Sequence, residues 1–131
     1  MTEEEAKSLA IASWRLLYAS QRICADLPGP QRKRAEARLR NARSAVFLHI
    51  TRLLEQHGIE MPDFTGKPYD PNYPIRATNA EEFADGDILV VQETQEPALV
   101  KGGRVLHFAK VVLTRIENPD QQSEKKNVSG N

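Results

Sequence analysis

The chain has little of what a disulfide-stapled, metal-clustered or strongly charged protein needs. It holds one cysteine, Cys24, in 131 residues, which excludes a disulfide scaffold and a multi-cysteine zinc site. Aromatic residues make up 6% of it, and Trp14 is the single tryptophan. No window approaches the ~18 consecutive apolar residues of a spanning helix. The N-terminus MTEEEAKSLAIASWRLL lacks a basic region followed by an apolar run, so no secretory signal and no membrane are expected, and the expected compartment is the cytoplasm. Excess charge of either sign is missing too: 18 Lys+Arg balance 18 Asp+Glu, which counts against a general nucleic-acid-binding protein.

What is present falls into two unlike parts. Residues 1–58 carry ten basic and six acidic side chains, a net +4, while residues 59–131 carry eight and twelve, a net −4. Only Pro28 and Pro30 interrupt the first part, which is otherwise rich in the helix formers Ala, Leu, Arg and Glu. Six prolines and several β-branched clusters follow Gly58. The boundary is therefore set at Gly58: a helical hairpin over 1–58, a small β-domain over 59–117, and a tail over 118–131 whose lack of apolar periodicity predicts disorder.

Within the first part Leu9, Leu16 and Ile23 recur every seven residues, predicting an amphipathic helix from about Thr2 to Ala25. Thr2 and Glu5 have the spacing of a capping box, and Glu3 to Glu5 suit the positive end of the helix dipole. Leu27-Pro28-Gly29-Pro30 stops the helix, and a second stripe of Leu39, Val46 and Leu53 runs to Gly58. Two such helices cannot bury wide apolar stripes against each other alone. Those six residues are accordingly expected to form a dimer interface, most simply a four-helix bundle in a homodimer.

In the second part Asp63–Asn79 reads as a proline-rich loop and Asn79 as the cap of a short helical turn. A first strand begins at Ile88-Leu89-Val90-Val91, Gly102 and Gly103 form a hairpin turn, and Lys110–Ile116 make the last strand. The expected fold class is α+β: an N-terminal antiparallel helical hairpin followed by a small all-β domain.

Constellations for chemistry are absent. His49 and His57 lie eight residues apart, the wrong spacing for two ligands on one helix face, and His49 is expected to face the bundle. Asp63, Asp70, Glu81, Glu82, Asp85 and Asp87 sit where acids serve turns and helix starts. Neither a metal nor a cofactor is expected, and the chain is read as a non-enzyme. Arg32, Lys33, Arg34, Arg38, Arg40 and Arg43 form the strongest local charge feature. They are read first as a solvated helix exterior. The alternative reading is an adaptor that binds nucleic acid or another protein through this helix.

Four segments carry a resemblance. Gly58-Ile59-Glu60 leaves a helix; Gly66-Lys67-Pro68-Tyr69-Asp70-Pro71-Asn72 forms a loop; Glu82-Phe83 precedes Asp85-Gly86; and Gly103-Arg104-Val105-Leu106-His107-Phe108-Ala109-Lys110-Val111 closes the domain. In order and approximate spacing, over about residues 58–115, they resemble the C-terminal part of the GrpE-type nucleotide exchange factors of Hsp70 chaperones. The resemblance implies a homodimer whose β-domain presses on the nucleotide-binding domain of an Hsp70-type ATPase and promotes ADP release. It implies that Arg104 makes a charge-assisted contact with that partner and Leu113 an apolar one. Arg76 and Phe108 stand where the family has other residues, and are taken as further partner-facing positions.

Overall fold

The structure, a computed structural model, describes residues 1–116. The expected tail therefore lies outside the described residues. Two antiparallel helices, α1 (Glu3–Ala25) and α2 (Gly29–Glu55), precede five strands: β1 (Ile75–Ala77), β2 (Leu89–Glu96), β3 (Leu99–Lys101), β4 (Arg104–His107) and β5 (Ala109–Arg115). The fold is α+β, with a helical hairpin followed by a small β region.

The helix ends follow from their sequences. Thr2 caps α1 with both arms of the capping box: its hydroxyl accepts from the Glu5 amide at 3.1 Å, and its own amide donates to the Glu5 carboxylate at 3.2 Å. Pro30 stands in the first turn of α2, where its missing amide costs no intrahelical bond. Beyond α2 the chain reverses through Gly58, whose φ of 71° lies in the left-handed region, and the Ile59 amide bonds back to the Leu54 carbonyl at 3.0 Å.

Strands β1, β5 and β2 form one sheet in that order, with β1 parallel and β2 antiparallel to the central β5. Strands β3 and β4 form a separate hairpin joined by Gly102 and Gly103, with φ of 55° and 78°. The sheet thus begins one strand earlier than expected. Ile75–Ala77, inside the proline-rich loop, is too short to show period-two alternation, and its pairing with Ala109–Val111 comes from the other end of the chain. Asn79 is a second difference. It makes no cap bond to the short 3₁₀ turn Ala80–Glu82; its side-chain amide instead clamps the Leu113 backbone, donating to the carbonyl and accepting from the amide, both at 2.9 Å.

Two cores result. One, built on β1, β2 and β5, gathers Ile75, Val91, Ala98, Ala109, Val111 and Leu113 under the loop aromatics Phe64, Tyr69, Tyr73 and Phe83. The other joins helix to strand: Ala6, Ala10, Ile50 and Leu54 from the helices meet Ile59 and Leu99 from beyond Gly58. The hairpin therefore completes part of its core within its own chain. Val46 and Leu53, expected at a dimer interface, pack against this shared core. His49, expected to face a bundle, is exposed.

Candidate partner-binding face

The β region presents a small exposed surface where β4 passes into β5. Pairing of Ile75 with Ala109 and of Arg76 with Lys110 lays β1 alongside the start of β5. That register brings Arg76 to Phe108, the residue between β4 and β5, with the guanidinium 4.2 Å from the ring centroid. A cation over an exposed ring is worth about 0.5–1 kcal/mol. Phe108 remains 39% exposed and Arg76 is exposed, so an aromatic ring and a cation face solvent together. Arg104 lies apart from this pair, exposed at the hairpin turn, where the neighbouring Lys101 ammonium reaches Glu3 of α1 at 3.0 Å. That hydrogen bond holds the Glu3 carboxyl below the usual carboxylate range.

Leu113 does not belong to the surface. It is 2% exposed, on the inward-facing row Ala109, Val111, Leu113 of β5, so its side chain stabilises the sheet core and cannot offer an apolar contact to a partner. Of the four residues expected to face a partner, the fold joins Arg76 to Phe108, leaves Arg104 exposed elsewhere and buries Leu113.

Lys110, the register partner of Arg76, leads to a charged hub at Glu96. Its carboxylate is 3.3 Å from the His107 Nε2, 3.3 Å from the Lys110 ammonium and 3.9 Å from Arg15 of α1. His107 Nδ1 lies 2.9 Å from the Pro97 carbonyl. Glu93, three residues earlier, accepts from the Tyr18 hydroxyl at 2.7 Å and from Arg22 at 3.2 Å. In a regular strand residues three apart face opposite sides. The register shifts of β2 on β5 between Val91 and Glu93, and between Thr94 and Glu96, are bulges that let both carboxylates address α1. Burial and the bond to Glu93 raise the Tyr18 pKa above its ordinary value. Sequence reading missed Glu96 and Glu93 because strand periodicity carries no sign of a bulge.

Helix α1 is divided lengthwise by these contacts. At about 100° per residue, Ala6 and Ala10 face α2, while Trp14, Arg15, Tyr18 and Arg22 face β2. The Trp14 indole donates to the Thr94 carbonyl at 2.8 Å and its ring stacks on Phe47 of α2 with centroids 5.1 Å apart. The third strip is Leu9, Leu16 and Ile23, exposed by 42%, 69% and 67%. Leu39 of α2 is half-buried and lines an open groove of about 340 Å³ with Leu17. The six residues expected at a dimer interface thus separate: Leu9, Leu16 and Ile23 form an open row on α1, Val46 and Leu53 of α2 pack against the shared core, and Leu39 lines the groove.

Among the described residues no three His, Cys, Asp or Glu converge as metal ligands. Asp63, Asp70 and Asp87 instead accept backbone amides of their own turns, from Thr65, Asn72 and Ala84. The cleft lined by Trp14, Tyr18, Arg22, Arg43 and Glu93 encloses about 200 Å³. No helix of the described residues is long and apolar enough to cross a membrane.

No family model, no curated protein and no solved structure matches this chain. Function therefore rests on the residues and their geometry.

Proposed function

We propose that this chain is a GrpE-like co-chaperone: a non-enzymatic cytoplasmic homodimer that docks its β region on the nucleotide-binding domain of an Hsp70-type ATPase and promotes ADP release. The observation that carries the reading is the ordered set of segments that resemble that family, and their structural roles support it. The Gly66–Asn72 loop is tied to β2 by backbone bonds between Gly66 and Val91, between Val91 and Lys67, and between Tyr69 and Leu89, at 2.8, 3.0 and 2.9 Å. The Gly103–Val111 segment supplies β4, the exposed Phe108 and the start of the central strand.

A factor of this kind makes and breaks no covalent bond. It acts by binding the open form of the ATPase more tightly than the closed one, so that the nucleotide is released by population shift. Arg76, Phe108 and Arg104 form the contact surface in this reading. Pro74-Ile75-Arg76 stands where the family has a His-Glu-Ala run, so this part of the surface departs from the family, and the target in this reading is a specialised Hsp70-type ATPase. The open row Leu9, Leu16 and Ile23 supports self-association, since no residue between Trp14 and Ile50 is buried within one chain.

Labelled ADP preloaded on Hsp70-type ATPases of the same genome tests the reading by stopped-flow. At least one should release ADP about tenfold or more faster with the protein present, an effect of the ~1–3 kcal/mol coupling usual between sites. Loss of that acceleration in Arg76→Ala with Phe108→Ala is expected. Absence of acceleration with every such ATPase rejects the proposal.

A further inference from the structure

We propose that the distal half of the helical hairpin is a binding surface for nucleic acid, engaging the phosphate backbone through α2. Whole-chain neutrality conceals how the charges are segregated in space. Residues 15–45 carry eight Lys+Arg against two Asp+Glu, a net +6, and none of them is buried. Three of these cations are occupied: Arg15 with Glu96, Arg22 with Glu93 and Arg32 with Glu36. Arg43 lies 5.0 Å over the Phe47 ring. Lys33, Arg34, Arg38 and Arg40 are exposed and make no ion pair among the described residues.

Their placement on the helix fits a polyanion. Arg34 and Arg38 are one turn apart and point away from the Ile50 and Leu54 face that α2 buries. Lys33 and Arg40 flank them on one side, about a third of a turn round. From Arg32 to Arg43 the helix rises about 16 Å at ~1.5 Å per residue. At ~3.4 Å of axis per phosphate, that is about five phosphates of one duplex strand.

Nucleic acid fits this face better than an anionic membrane. Three of the four free cations are arginine, whose planar fork matches phosphate oxygens two at a time. The same outer face carries Ala37, Asn41, Ser44 and Ala45, with Leu48 as its single large exposed apolar side chain, which is far from the broad apolar face that a helix lying in a membrane surface inserts. With no exposed aromatic side chain on this face to stack on a base, binding is to backbone, without sequence preference.

Fluorescence anisotropy of the full chain with a labelled 20-base-pair duplex tests this. Four phosphate contacts predict a slope of log K against log salt of about −3.6, or about a hundredfold weakening between 50 and 200 mM salt. Arg34→Gln with Arg38→Gln should reduce the magnitude of that slope by about 2, with circular dichroism showing unchanged helix content. Arg115→Gln, on the β region, should leave the slope unaltered. The inference is overturned by no binding at 50 mM salt, by an unchanged slope in the folded double variant, or by binding to vesicles containing anionic lipid but not to the duplex. ADP release from an ATPase is a separate readout, so either proposal can fail alone.

Discussion

The two halves of the hairpin share a helical period and differ in what they touch. Near the base, Ala6, Ala10, Ile50 and Leu54 meet Ile59 and Leu99 and are almost wholly removed from water. In the distal half, Leu16 and Ile23 remain largely exposed and the cations outnumber the acids by six. An amphipathic repeat states that a face must be covered, without saying by which element. At the base the cover comes from the β region of the same chain.

The largest expected effect tests that contrast. Leu54→Ala should cost about 2–5 kcal/mol in a denaturant titration, because it opens a cavity in the shared core. Leu16→Ala should change monomer stability by less than about 0.5 kcal/mol. It should instead shift the association equilibrium in sedimentation velocity if the α1 row is the self-association face. Equal losses in the two variants at concentrations where only monomer sediments would break the distinction between base and tip.

A smaller effect tests the β region. Asn79→Ala leaves the Leu113 amide and carbonyl without their side-chain partners, a loss of about 1–3 kcal/mol measured by chemical denaturation. The affected amide is that of Leu113, so its hydrogen exchange should accelerate more than that of the helix-base amides at Leu54.

The smallest effects come from pH. The lowered pKa values of Glu3, hydrogen-bonded by Lys101, and of Glu5, bonded by the Thr2 amide, mean that their stabilisation is present above the ordinary value of 4.5. It is lost as pH falls through the folded values. Tyr18 works in the opposite direction: its raised pKa preserves stability below the ordinary value of 10.0, and that contribution is lost as pH rises through the folded value. Denaturation midpoints across both ranges should fall at each end. Tyr18→Phe should flatten the alkaline fall and leave the acid one unchanged.

Much of the fold was legible from local chemistry. The Thr2 capping box, the Pro28 to Pro30 break and the Gly102-Gly103 turn each act within a few residues, and each lies where the sequence places it. What could not be read was any relation between distant segments. Leu113, which the family resemblance places toward a partner, is made interior by the pairing of β5 between β1 and β2. The joining of Arg76 to Phe108 depends on a parallel pairing across more than thirty residues, and the approach of Glu93 and Glu96 to one helix depends on bulges.

Sequence by itself determined the helices, their ends, the turn glycines and the division of charge, because propensity, capping and composition are properties of neighbours along the chain. Tertiary structure alone decided which apolar rows close on the chain itself, which stay open, and where the free cations stand. Burial and ion pairing are relations between elements, and the same leucine period serves a core at one end of the hairpin and an exposed face at the other.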